Sequence, residues 1–387
     1  MSEVIVTKMR LIERPRLLKL VAGMEDRKAT IITAPAGYGK TVFLLQAAKS
    51  LVKPVVWYQL DSYDNDPAIL YDGLIDALRQ YFLEFDSEIP SFLRKDGPMV
   101  PPRFMAKNII NTMAKKIPGG LVIFFDDYHV ITESTVHTFF QEMLAGIPDG
   151  FHMMIAGRIP PPFNLPLHLS GGVLTVTARD LAFDTRETKA FLGKNKIPPS
   201  KTLLENLERK TAGWPMLLHL LAGCSLNENP ILPDEERNKI YRYLANEVFN
   251  QQPEKIRQFL TVTSILETLT PEFCNLLRES NDSEEILSFL AQQQIFLTPL
   301  TGGEKNYRYN ELFREFLQDR LGREAKILYR RAGEIAHRLG RLNNAVEYYL
   351  KAEAFSEAAV LIKETSPPSS PFRAVAYSRP PAETIAG

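Results

Sequence analysis

Thr33-Ala34-Pro35-Ala36-Gly37-Tyr38-Gly39-Lys40-Thr41 follows the apolar run Ala29-Thr30-Ile31-Ile32 and precedes Val42-Phe43-Leu44-Leu45-Gln46-Ala47-Ala48, which reads as a helix. Strand, glycine-bearing loop, Lys-Thr and helix come in the order that a phosphate-binding P-loop needs. Glycines let the backbone curl so that successive N–H groups face one anion. On this reading Lys40 reaches the β- and γ-phosphates, the Thr41 hydroxyl holds Mg²⁺, and the new helix adds its positive end. The loop residues Pro35-Ala36-Gly37-Tyr38-Gly39, with Lys40 and Thr41, are the expected nucleotide-binding residues. Ala34 stands where the usual pattern begins with Gly. The competing reading is an ordinary turn that happens to contain Gly-Lys-Thr.

Apolar runs on either side extend the pattern. Pro54-Val55-Val56-Trp57-Tyr58-Gln59-Leu60, Leu121-Val122-Ile123-Phe124-Phe125, Phe151-His152-Met153-Met154-Ile155-Ala156-Gly157 and Val173-Leu174-Thr175-Val176-Thr177 read as strands. Helical stretches lie between them: Asp66-Pro67 to Tyr81, Arg103 to Lys116 and Thr135 to Ala145. Alternating strands and helices predict a doubly wound parallel α/β sheet. The third run ends in Asp126-Asp127-Tyr128-His129. Carboxylates at the carboxyl edge of a central strand suit metal-assisted phosphate chemistry. Asp126 is expected to hold Mg²⁺ beside Thr41, and Asp127 to orient or deprotonate an attacking water. Arg158, ending the next strand, is placed to contact a γ-phosphate; an exposed surface arginine is the alternative. His129 reads as a hydrogen-bonded loop residue.

From Asp184 the pattern turns helical: Thr185 to Leu192, Leu203 to Thr211, and an apolar helix opened by Trp214-Pro215. Aromatic plus proline at a helix start either presses on an adenine or simply caps the helix. Residues 234–321 read as several helices, a hairpin at Ile295–Leu300 and Tyr307–Tyr309, and a final helix from Glu311 to Arg320, the order of a winged helix. The helix before the wing, Ser283 to Gln294, carries two acids and neither Lys nor Arg. A DNA-reading helix needs basic side chains for phosphates and guanines, so this winged helix is expected to be structural. Tyr329, Ala332, Gly333, Ala336, Ala345, Tyr349 and Ala352 follow tetratricopeptide spacing. The Pro- and Ser-rich end reads as disordered.

The resulting divisions are a P-loop nucleotide domain over 1–183, a helical lid over 184–230, a winged helix over 231–321, the start of tetratricopeptide-like repeats over 322–366 and a tail over 367–387. The 387 residues carry zero formal net charge, which gives no global field to attract nucleic acid or an anionic membrane. Cys224 and Cys274 give no disulfide framework and read as reduced core thiols. The start has no apolar signal region, and no stretch approaches the roughly 18 apolar residues of a membrane span. A cytoplasmic chain with no membrane partner is the expectation.

Together these blocks resemble the ATPase half of MalT-like, LuxR-class transcription activators, which are signal-transduction ATPases with numerous domains. The matching residues are Arg14-Pro15-Arg16-Leu17, the stretch from Ala34 to Thr41, Asp126-Asp127-Tyr128-His129, Arg158, Asp180-Leu181-Ala182-Phe183, Gly213-Trp214 and Tyr307-Arg308-Tyr309-Asn310-Glu311-Leu312-Phe313-Arg314-Glu315-Phe316-Leu317. The resemblance implies an ATP/ADP switch with slow hydrolysis. ADP is held between the P-loop domain and the winged helix, and the segments at Arg14-Pro15 and Trp214-Pro215 flank the adenine. It also implies an inducer or regulatory protein acting through the repeats, and self-association in the ATP state. DNA would be contacted only by a C-terminal helix-turn-helix that this chain does not include. Asn310 stands where the family usually has His. The alternatives are a metabolic P-loop ATPase or kinase, and a nucleotide-independent interaction module.

Overall fold

The computed structural model describes residues 11–23, 27–83, 85, 100–164, 172–222, 234–292, 297–300 and 305–365. Cys224, the tail over 367–387 and parts of the predicted hairpin (Ile295-Phe296 and Thr301–Glu304) lie outside the described residues. The chain divides into two compact units, Met1–Ile240 and Tyr241–Gly387.

In the first unit a short helix α1 (Pro15–Val21) precedes β1 (Ala29–Thr33), α2 (Lys40–Ser50), β2 (Val55–Gln59), α3 (Pro67–Arg79), α4 (Pro102–Lys116), β3 (Val122–Asp126), α5 (Ser134–Gly146), β4 (His152–Gly157) and β5 (Val173–Thr177). All five strands are parallel, in the order β2-β3-β4-β1-β5. Every residue of β3 and β4 is buried, whereas the outer strands β2 and β5 are only partly covered. This is why the two inner runs are almost uninterruptedly apolar. Phe125 of β3 meets Phe140 of α5 edge-on, with ring centroids 4.9 Å apart, and Tyr128 meets the same ring in the same way. Local chemistry sets the helix ends. Asp66 accepts from the Ala68 N–H and Pro67 follows in the first turn of α3, as the sequence predicts.

The lateral order decides the site. β4 lies between β1 and β3, with Thr33 opposite Gly157 and Phe125 opposite Ile155. Three carboxyl ends therefore finish side by side: the glycine loop after β1, Arg158 after β4, and the acids closing β3. Chain connections leave β1 toward β2 on one side and β4 toward β5 on the other, which opens a crevice at the strand ends.

After a helical turn at Ala178–Leu181 come α6 (Thr185–Lys194), α7 (Lys201–Thr211) and α8 (Pro215–Ala222). Asp184 and Glu187 form a reciprocal capping box on α6, and Ser200 caps α7 through the Leu203 N–H. Among the described residues no helix is long and apolar enough to cross a membrane.

The second unit begins within α9 (Asp234–Leu244), followed by α10 (Glu254–Thr263), α11 (Pro271–Arg278), α12 (Ser283–Gln292), the antiparallel pair β6 (Leu297–Pro299) and β7 (Tyr307–Tyr309), and α13 (Glu311–Leu321). Three helices against a two-stranded wing make a winged helix. Leu269 pairs with Tyr307 beside the wing, and the buried Tyr309 hydroxyl shares a 2.7 Å hydrogen bond with Thr263 Oγ1. Cys274 is buried in α11, and burial pushes its thiol up to about 12. The C-terminal part is helical: α14 (Glu324–Arg338) packs on α15 (Leu342–Lys351), and α15 on α16 (Phe355–Thr365). Ala332, Ala336 and Ala345 are buried in these helices.

Candidate functional site

Gly37 and Gly39 have φ of +78° and +83°, the left-handed conformation that lets the loop curl before α2 begins at Lys40. Ala34 is not in that region. Its N–H donates to Gly157 O at 3.2 Å, continuing the β1–β4 ladder by one residue. Ala34 therefore needs no glycine freedom, which explains why the first position of the pattern tolerates a side chain here.

The outer face of the loop is tied to α8. Trp214 Nε1 donates to Ala36 O at 3.2 Å, and the Met216 N–H donates to Gly37 O at 3.1 Å. Across a planar trans peptide the N–H points opposite to the carbonyl. With these two carbonyls turned to α8, the amides of Gly37 and Tyr38 turn the other way. The indole itself is 1% exposed and lies beside the Tyr38 ring, with centroids 6.3 Å apart. Pro215 is also buried, at the first turn of α8. Trp214 and the Met216 amide thus brace the loop from behind.

Lys40 is 8% exposed, and its ammonium donates to Ala34 O at 2.7 Å and Pro35 O at 3.1 Å. Burial, helped by the Arg158 cation, lowers its pKa to about 8, against the pull of Asp126 and Asp127. Thr41 Oγ1 donates to Asp126 Oδ2 at 2.6 Å. Asp126 is 1% exposed, and its other oxygen accepts from the Asp127 N–H at 2.9 Å. Burial raises the Asp126 pKa, while the Thr41 hydrogen bond opposes the rise. A hydroxyl and a carboxylate oxygen in contact are the hard donors that Mg²⁺ prefers. Among the described residues no cluster of three or more His, Cys, Asp or Glu would cage a metal. A Mg²⁺ at Thr41 and Asp126 would therefore take its remaining ligands from phosphate and water.

Asp127 is a non-glycine residue at φ +58°, and its carboxylate accepts from Gln59 Nε2 at 2.7 Å. His129 Nδ1 lies 3.7 Å from the other Asp127 oxygen. Burial and the Arg158 cation, with a smaller push from Lys40, lower the imidazole pKa to about 4, so it is neutral near pH 7 and forms no ion pair. Arg158 thus acts electrostatically on both Lys40 and His129. The sequence reading missed Gln59. The available signal was a polar residue closing an apolar strand at the edge where the acids close β3.

Arg14 and Pro15 are placed differently. The Arg14 guanidinium is 3% exposed and donates to Glu187 Oε1 at 3.1 Å, Glu187 Oε2 at 3.0 Å and Ala182 O at 3.1 Å. It also lies 4.8 Å from the centre of the Phe183 ring. Arg16 joins it on Glu187 Oε2 at 3.1 Å. Pro15 opens α1. The Arg14 side chain therefore locks this segment to the start of α6, so only its backbone is left for a ligand.

Comparison with known proteins places these features together. Residues 245–328 match the family model of the MalT winged helix domain. The chain is 28% identical over 335 residues to the HTH-type transcriptional regulator MalT of Vibrio campbellii, covering 83% of this chain and 37% of that protein. To MalT of Cronobacter sakazakii it is 26% identical over 352 residues, covering 88% and 39%. Over most of its length the chain is similar to MalT regulators. It spans less than two-fifths of the length of these curated relatives. A Walker-type ATPase of Pyrococcus abyssi shares the fold, with a TM-score of 0.54 and 10% identity over 80% of this chain and 96% of that one.

The MalT-like blocks of the first unit are one another's contacts. Phe183 donates its N–H to Gly213 O at 2.8 Å. Gly213 has φ +73°, and a Cβ there would lie 2.4 Å from Phe183 O, so both conformation and space require glycine. Arg14 holds Ala182 and Phe183, Phe183 holds Gly213, and the adjoining Trp214 holds the P-loop. In the MalT-like winged helix, Asn310 caps α13, its Oδ1 accepting from Leu312 N at 3.1 Å and Phe313 N at 3.3 Å.

Proposed function

We propose that this chain is the ATP/ADP-binding switch module of a MalT-like, LuxR-class transcription regulator acting in the cytoplasm. The observation that carries the reading is the Thr41–Asp126 hydrogen bond at 2.6 Å, directly beside a curled loop that presents Lys40. P-loop chemistry needs this junction: Thr41 and Asp126, which would hold a metal, next to the Lys40 cation. Mg²⁺, when bound, neutralises charge on the β- and γ-phosphates. In this reading the Gly37 and Tyr38 amides and the α2 N-terminus bind the phosphates, Lys40 leaves the loop carbonyls for phosphate oxygens, and Arg158 approaches the γ-phosphate. Asp127 orients the attacking water and takes its proton. The backbone at Arg14-Pro15 and the Trp214-Pro215 segment border the adenine.

Turnover is slow, because a switch that hydrolysed rapidly would not persist in its ATP state. The domain divisions proposed are 1–183, 184–230, 231–321 and 322–366. The winged helix serves as structure: α12 has Glu284 and Glu285 in its first turn and no basic side chain. The helices from α14 onward begin a tetratricopeptide-like array that receives a small inducer or a regulatory protein, and self-association belongs to the ATP state. DNA is contacted by a domain outside these residues. A metabolic ATPase or kinase would need a second polar constellation for its substrate, and a nucleotide-independent interaction module would have no need to keep Lys40, Thr41, Asp126 and Asp127 together.

The test is Asp127→Asn. Equilibrium binding of a fluorescent ATP analogue should stay within about twofold of wild type, while single-turnover hydrolysis falls by at least roughly a hundredfold. Unchanged hydrolysis would remove Asp127 from the reaction.

A further inference from the structure

Gln59 closes β2 and stands opposite Asp126 in the β2–β3 register. Its side chain therefore rises at the carboxyl edge, one strand away from the acid pair. The backbone of Asp127 is fixed on both sides: its N–H donates to Asp126 Oδ1 at 2.9 Å, and its carbonyl accepts from Val130 N at 3.1 Å. These contacts sustain a left-handed conformation that few side chains adopt without cost, although Asp is among the more tolerant. The two side-chain torsions of Asp127 remain to be set. Gln59 Nε2 sets them by donating to Asp127 Oδ2 at 2.7 Å. The opposite amide orientation would bring two acceptors together, so this one is chemically required. Oδ1 is left facing His129, whose imidazole senses the Lys40 and Arg158 cations. A neutral imidazole does not compete for that oxygen as an ion-pair partner.

We infer that Gln59 is a positioning residue for hydrolysis: it anchors one oxygen of Asp127 so that the other faces the phosphate side of the site. The inference rests on the assignment of Asp127 as the base and adds what aims it. Asp127 touches the water; Gln59 acts through Asp127 alone and contributes nothing to nucleotide affinity.

The experiment is a double-mutant cycle on the full chain, with single-turnover ATP hydrolysis and nucleotide Kd measured for wild type, Gln59→Leu, Gln59→Glu, Asp127→Asn and the Gln59→Leu/Asp127→Asn pair. Gln59→Leu should slow hydrolysis roughly tenfold with Kd unchanged, the size expected for one hydrogen bond to a charged group. Gln59→Glu keeps the shape, removes the donor and should slow hydrolysis at least as much. In the Asp127→Asn background Gln59→Leu should have no further effect. A wild-type rate in Gln59→Leu, with Asp127→Asn slow, overturns the inference and leaves the base assignment standing. An equal loss in both backgrounds, or loss of binding in both Gln59 variants, marks a structural role and also overturns it. A wild-type chain with no turnover removes the base assignment and the inference with it.

Discussion

Lys40 shows how a single residue couples the site to pH. Its ammonium is buried against two loop carbonyls, and its pKa falls to about 8 from the ordinary lysine value. The lowered value has a definite sign. Between about 8 and the unfolded lysine value, the unfolded chain binds more protons than the folded one, so this group's contribution to stability rises with pH through that window. Phosphate needs the charged form, so affinity runs the other way. The Kd for ATP should weaken by up to roughly tenfold per pH unit above about 8, as titration calorimetry at pH 7, 8 and 9 would read. A flat profile would mean that Lys40 keeps its proton without phosphate. Asn310 is a second residue-scale case. Its carboxamide caps α13 while 5% exposed, so Asn310→Ala should cost about 1–2 kcal/mol in urea unfolding of the chain. The P-loop and acid residues were legible because each chemistry demands a fixed residue type at a fixed spacing. Gln59 and the cap at Asn310 were not, because a polar residue at an element end acquires its role only from what the fold brings opposite it.

At the scale of elements, the junction of α1, α6 and α8 with the P-loop is a relay of specific contacts. Glu187 is its hinge point: it caps α6 by accepting from Asp184 N at 3.1 Å and receives both Arg14 and Arg16. Burial works against the charge on Arg14, and Glu187 works for it. Glu187→Ala would leave a buried guanidinium with its ion partner removed, at a cost of about 3–5 kcal/mol. Chemical denaturation followed by circular dichroism measures this, and Glu187→Gln, which keeps an acceptor, should recover part of the loss. A loss below about 1 kcal/mol would place the pair among surface ion pairs. Element types and approximate ends were readable from periodicity and caps, as for the start at Asp66-Pro67 and the end at Thr211. The sequence reading took Arg14-Pro15 and Trp214-Pro215 as adenine neighbours. The burial of both side chains in protein contacts is a tertiary result that no local pattern encodes.

At the scale of the whole molecule, the alternation of strands and helices from β1 to β5 was readable, but the helix α1 before it and the lateral order β2-β3-β4-β1-β5 were not. Parallel strands joined by helices can be arranged side by side in several ways with the same sequence pattern. Only the placement of β4 between β1 and β3 brings Arg158 between the phosphate loop and the acid pair. The winged helix was legible as several helices followed by a hairpin, and its match to the MalT winged helix domain over 245–328 agrees with that reading. The central claim is that this assembly binds nucleotide through its P-loop. The most direct measurement is to denature the purified chain, identify the released nucleotide by chromatography, and repeat with Lys40→Ala. The account predicts ADP or ATP released from the wild type and none from Lys40→Ala. A wild-type chain that releases none and binds no added ATP or ADP with Mg²⁺, or a Lys40→Ala chain that binds as well as wild type, would contradict it.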